Sequence, residues 1–96
     1  MLRADVITLI AENPSPHGIL EGATETERTV YCTVSSVGMN ETYTALAQGL
    51  RPEYRFILHD FEYNAEERLR FHDVEYRVIR AYVNGNDEVE LTCERR

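Results

Sequence analysis

The chain has no lysine, two cysteines, three prolines and five glycines. Without lysine, all ten basic residues are arginine, which suits bidentate pairing with carboxylates on a strand face or between subunits. Biased codon usage in the source genome is the bland alternative. Cys32 and Cys93 both fall at apolar-phase positions of strand-like runs, so they read as small core residues rather than a disulfide. No apolar run approaches the roughly 20 residues a membrane-spanning helix needs. Met1-Leu2-Arg3-Ala4-Asp5 lacks the apolar stretch and small-residue cleavage site of a secretory leader, so a cytoplasmic setting is expected. Catalytic signatures are also missing: there is no G-x-S-x-G, phosphate-binding loop or G-x-G-x-x-G. His17, His59 and His72 lie far apart, without the spacing of a local metal site. Cys32 with a distant histidine makes a poor nucleophile pair, because a core-phase cysteine is inert. Glu62, Glu66 and Glu67, close after Asp60, read as a solvated turn. No catalytic residue, cofactor or metal site is expected.

What is present is charge of one sign and a period of two. The 96 residues, enough for one domain over 1–96, carry a formal charge of −7. Such acidity argues against gripping nucleic acid but not against standing beside it. Area scaling allows a chain of this size to hide roughly two-thirds of its unfolded surface, one modest core. Apolar and polar residues alternate in Arg28–Ser36, Tyr54–Asp60, Arg68–Phe71 and Glu88–Glu94, each a half-buried strand with one wet face. Val6–Ala11 is more evenly apolar, a strand covered on both faces. Val74–Val83 alternates and then turns apolar on both sides from Val78, which marks either a bulge or double cover late in its course. His72-Asp73 reads as a tight hairpin, and Asn84-Gly85-Asn86-Asp87 as a type I′ turn. Asn13–Gly18 opens a long exposed loop expected to run to about Glu27.

One segment breaks the alternation. Met39–Leu50 has apolar residues at 39, 43, 46, 47 and 50, the stripe of a short helix. Asn40 is the expected N-cap, and Gly49 and Pro52 end it. The stripe needs a surface to dock on; spacing favours the domain's own sheet, and the alternative is a neighbouring subunit. The expected fold is therefore all-β, a small antiparallel barrel or sandwich of about six strands, with one short helix inserted between strands 2 and 3. Small barrels of oligonucleotide-binding type make nucleic-acid binding the rival class, with Tyr54, Arg55, Phe56, Tyr76, Arg77, Arg80 and Tyr82 as candidates. The net charge favours aromatics in the core and arginines paired with glutamates.

The run Val37-Gly38-Met39-Asn40-Glu41-Thr42-Tyr43, followed by Ala45-Leu46-Ala47-Gln48-Gly49-Leu50-Arg51-Pro52-Glu53-Tyr54, resembles the head-closure (head–tail joining) proteins of tailed bacteriophages. Strand–acidic loop–aromatic strand before it, and Phe71-His72-Asp73-Val74-Glu75-Tyr76-Arg77-Val78 with an acidic last strand after it, extend the likeness over nearly the whole chain. It rests on the order of short degenerate motifs, and His72-Asp73 stands where a glycine-containing turn is more usual. The resemblance implies a small β-barrel that joins a ring, typically of twelve, beneath portal and adaptor proteins in the virion neck, after assembly in the host cytoplasm. Such a ring retains packaged DNA, lets it pass the lumen without specific binding, and offers the tail-completion protein a platform. No membrane is involved, and a monomer in isolation is compatible with it. Tyr43, Leu46, Ala47, Leu50, Arg51 and Pro52 are the expected inter-subunit contacts, and an acidic lumen that repels phosphate is the expected use of the charge. A tail-completion or terminator protein of the same neck region is the nearest alternative.

Overall fold

The computed structural model describes residues 5–13 and 24–96. The alternating runs become six strands: β1 (Asp5–Asn13), β2 (Thr24–Ser36), β3 (Pro52–His59), β4 (Arg68–Phe71), β5 (Val74–Val83) and β6 (Glu88–Arg95). One helix, α1 (Met39–Leu46), stands between β2 and β3, and a 3-10 turn at Asp60–Glu62 follows β3. All the ladders are antiparallel, in the order β1-β2-β3-β6-β5-β4, and β4 pairs back onto β1. Of barrel and sandwich, the chain makes the closed barrel.

Residues directly opposite each other in these ladders share a face, so the register carries the inward phase round the barrel. Ile7 and Leu9 of β1 meet Val30 and Cys32 of β2, Phe56 and Leu58 of β3, Leu69 and Phe71 of β4, Tyr76 of β5, and Val89, Leu91 and Cys93 of β6. Each large side chain so buried stabilises the fold by about 1.5–3 kcal/mol. Tyr54, Phe56, Phe71 and Tyr76 pack tilted or edge to face, with ring centroids 5.3 to 5.9 Å apart. Both cysteines are buried free thiols of this core. Burial pushes the Cys93 thiol up to about 12, so it stays protonated and unreactive at neutral pH.

The outer face of β4, β1 and β2 is laced by arginine. Arg68 reaches Glu25 at 2.8 Å and Arg70 reaches Glu27 at 2.8 Å, both across the intervening β1. Ile10 lies in register between Glu27 and Arg68 and is only 1 % exposed, although its neighbour Leu9 takes the inward face. The double cover expected of β1 is thus found at Ile10, with arginine stems as the natural outer cover. Arg55–Glu90, Arg77–Glu94, Arg95–Glu53 and Arg96–Glu75 pair similarly elsewhere.

Four expectations need correction. The loop expected to run to Glu27 ends sooner, because β2 begins at Thr24 and Glu25 and Glu27 are ladder residues paired to arginines; the rest of that loop lies outside the described residues. Asn84–Asp87 is the hairpin connection expected, joining β5 to β6, but it is not a type I′ turn: Asn84 N–H bonds Glu88 O at 3.0 Å, and the positive φ values fall at Gly85 and Asp87. The side-chain oxygen of Asn84 takes the Asn86 N–H at 2.9 Å, and this local bond widens the turn. In β5, of the two alternatives, the bulge is real, a register shift between Val78 and Arg80, but double cover is not, because Arg80–Val83 is exposed. Glu66, expected in a solvated turn, is 4 % exposed.

His72-Asp73 is the tight hairpin expected. Phe71 pairs Val74, and both turn residues have positive φ, 50° and 63°. Those signs define a type I′ turn made without glycine, by residue types that tolerate the left-handed region better than most.

Candidate functional site

The segment from Val37 to Pro52 leaves β2 and re-enters the barrel at β3. Its helix is shorter than the apolar spacing suggests, Met39–Leu46, because the chain unwinds at Gly49. There the Gly49 N–H bonds Leu46 O at 3.0 Å and the Leu50 N–H bonds Ala45 O at 2.9 Å, with Gly49 at φ 78°. These paired bonds are a Schellman ending, which needs a residue at positive φ that glycine supplies freely. Gly38, not Asn40, is the N-cap, and no side chain caps the helix. Asn40 instead lies within the first turn, where its carbonyl accepts from the Thr44 hydroxyl at 3.1 Å.

The six expected contact residues divide into two groups. Tyr43 (65 % exposed), Leu46 (40 %) and Ala47 face solvent. Tyr43, Leu46 and Ala47 therefore do not plug the chain's own sheet, the arrangement that spacing alone favoured. Leu50 and Pro52 turn the other way. With Ala45, Ile79 and Thr92 they line an apolar groove of about 300 Å³ between the helical segment and the outer face of β5 and β6. Ile79 is the bulge residue, and the break of alternation at Val78-Ile79 was its signal in the sequence. Arg51 is exposed, and its backbone N–H donates to Glu94 Oε1 at 2.9 Å. Arg77 pairs with the other carboxylate oxygen. Arg77 first and that N–H second hold the Glu94 carboxyl below its ordinary range. The exit of the helical segment is thus pinned to β6, while the helix itself stands off the barrel.

A second structured connection closes the barrel end between β3 and β4. Arg28 sits in the inward phase of β2, opposite Leu9. It donates to Glu66 Oε2 and to the Glu62 carbonyl, each at 2.6 Å. Glu66 Oε1 takes the Asn64 N–H at 2.7 Å, and the Tyr63 hydroxyl donates to Glu66 O at 2.8 Å. Burial, then the Glu66 charge, pushes the Tyr63 hydroxyl up to about 12. The carboxylate is buried with its oxygens satisfied, as a charge held out of water must be. This cluster is a structural cap; its groups are committed to one another.

The aromatic–arginine clusters separate as well. Tyr54, Phe56 and Tyr76 pack in the core, and Arg55 and Arg77 pair with glutamates. Only Tyr82 remains on the surface, with the Arg80 guanidinium 5.7 Å from its ring centroid. Among the described residues, no group of three His, Cys, Asp or Glu side chains is arranged to hold a metal ion. Neither a protein-family model nor a curated protein matches the chain.

Proposed function

We propose that this protein is a head-closure subunit of a tailed bacteriophage: a small barrel that joins a ring beneath the portal and adaptor, retains packaged DNA and carries the tail. The observation that supports this reading best is the exposure of Tyr43 and Leu46 on α1, a helix inserted between β2 and β3 and followed by an exit pinned to β6. A single barrel this small gains nothing by holding Tyr43 and Leu46 in water; a neighbouring subunit that covers them does. The fold also suits a building block, since closure of the barrel leaves a rigid body with specialised connections. The net charge of −7, multiplied by a ring, gives a lumen that repels phosphate and lets DNA slide.

The test is deletion of the gene from the phage genome that carries it. The expected outcome is DNA-filled heads that leak and complete tails that remain unjoined. Joined, infectious virions would defeat the reading, and unjoined tails of abnormal length would move the protein to the tail-completion role. Binding of single-stranded DNA that weakens steeply with salt would favour the nucleic-acid alternative.

A further inference from the structure

The barrel is closed, yet two of its strands overrun their neighbours. β5 pairs with β4 only through Val74–Arg77, because β4 is four residues long. The Val78 N–H still finds Glu67 O at 2.9 Å, and beyond it Arg80–Val83 has β6 on one side and no strand on the other among the described residues. β2 likewise pairs with β3 only through Thr33–Ser36, so among the described residues β1 is the one strand that pairs with its first nine residues. An overrun of this kind offers unpaired backbone groups to another chain.

The bond from Asn84 N–H to Glu88 O sets which groups of β5 are offered. In an antiparallel ladder hydrogen-bonded and non-hydrogen-bonded pairs alternate, so Tyr82 turns its backbone toward β6 while Ala81 and Val83 turn theirs outward. All three side chains are exposed, Val83 to 62 %. The outer face of this edge carries Arg80 and Tyr82. The outer face of the β2 overrun carries Glu25, Glu27, Thr29 and Tyr31, and the two glutamates remain nearly half exposed although each is paired across β1. Opposite charges across neighbouring strands are favourable and like charges are not. Two β2 edges together would crowd four glutamates, and two β5 edges would bring arginines together. A β5 edge beside a β2 edge sets arginine against glutamate.

We propose that the Arg80–Val83 edge of β5 takes the Glu25–Tyr31 edge of a second copy as an added strand, so that subunits continue one another's sheet head to tail. The contact joins two different surfaces, and such contacts build rings or open filaments rather than closed dimers. The pairing stands without the head-closure reading, but closure into a ring rests on it.

Proline tests it cleanly. At Ala81 or Val83 it removes an N–H that the chain's own ladder does not use, and blocks strand addition. The intact protein is followed by native mass spectrometry and sedimentation up to about 1 mM, a range in which weak pairings are populated. Wild type should form oligomers, with amide exchange slowed at Ala81, Val83 and the β2 edge. A81P and V83P should stay monomeric while keeping the wild-type circular dichroism and Tm, and R80E should weaken association at least tenfold. A monomer at every concentration, oligomers indifferent to both prolines, or protection confined to other strands overturns the proposal. Joined virions from phage carrying A81P would overturn it and leave the head-closure reading intact. Edge pairing in a protein whose deletion leaves virions joined would do the reverse.

Discussion

Two connections of the barrel, Asp60–Glu67 and Val37–Arg51, treat their side chains in opposite ways. The first carries six ionisable or polar groups in eight residues beside a single exposed phenylalanine, and it buries a carboxylate to 4 % exposure. The second carries an apolar stripe and leaves Tyr43 65 % exposed. Composition would assign burial the other way round. The difference lies in partners within the chain. Glu66 finds Arg28, an arginine that the register of β2 turns inward at the barrel end, whereas Tyr43 and Leu46 of α1 face solvent on a segment whose exit is pinned to β6. A polar group buried with a partner reports how the chain closes itself; an apolar group exposed without one reports what the chain leaves to another.

The strongest way to break this comparison is to remove the partner. Arg28→Ala leaves Glu66 and the Glu62 carbonyl without their cation. Loss of one member of a fully buried pair costs about 3–5 kcal/mol; the guanidinium here is 36 % exposed, so about 2–3 kcal/mol is expected. That lowers Tm by about 10 °C in a domain of this size, measured by calorimetry beside a urea midpoint. A loss under about 0.5 kcal/mol would make the cap an ordinary surface ion pair.

Alkaline titration is the next largest effect, and it acts on the buried side of the comparison. Cys93 is raised from an ordinary value near 9 to about 12, and Tyr63 from near 10 to about 12. Folding therefore holds these protons more tightly than the unfolded chain does. Below pH 9 both groups are protonated in either state and contribute no slope. Stability should fall from pH 9 as Cys93 begins to ionise in the unfolded chain, at roughly 1 kcal/mol per pH unit, and more steeply above pH 10 as Tyr63 joins. Urea unfolding at half-unit steps from pH 7 to 11 reads the slope, and Cys93→Ala should flatten the part between pH 9 and 10. An unchanged slope in that variant would remove Cys93 as its source.

A smaller change sharpens the comparison from within the cap. Ala65 is held at φ 61°, where a Cβ is unfavourable, between residues fixed by the bonds to Glu66. Ala65→Gly should raise stability by about 0.5–1 kcal/mol if the cap imposes that conformation. A loss would mean that the entropy of glycine in the unfolded chain outweighs the relieved strain.

What the sequence disclosed follows the same division. Strands with one wet face were legible because Val30, Cys32, Phe56, Leu58, Val89 and Leu91 keep a period of two, and that period is the geometry of the pleat. The helix end was legible at Gly49, whose positive φ has a local cause. Glu66 was not, because its partner lies 38 residues away; the one available sign was an arginine, Arg28, in the phase of Val30 and Cys32. The exposed end of β5 was misjudged for a similar reason. Its apolar run suggested double cover, but cover depends on the length of β4, which β5 itself does not encode. For the six expected contact residues, spacing located the segment and could not say which way each side chain turns: Leu50 and Pro52 line the groove, while Tyr43, Leu46 and Ala47 face away.

The least disturbing substitution is the most informative about assembly. Leu46 is 40 % exposed and outside the buried core, so Leu46→Asp should change stability by less than about 0.5 kcal/mol. If the stripe is covered by a neighbour in the virion, the same variant buries an unpaired carboxylate there and should abolish ring assembly on portal–adaptor complexes, seen as unclosed necks in negative stain. Arg51→Ala, at the exposed exit of the segment, should weaken assembly without abolishing it, since its backbone bond to Glu94 survives the change. A Leu46→Asp protein that unfolds would put the stripe on the chain's own core, as its spacing suggested. One that folds and still closes necks would leave the exposed stripe unexplained by assembly and return the contrast between the two connections to the barrel alone.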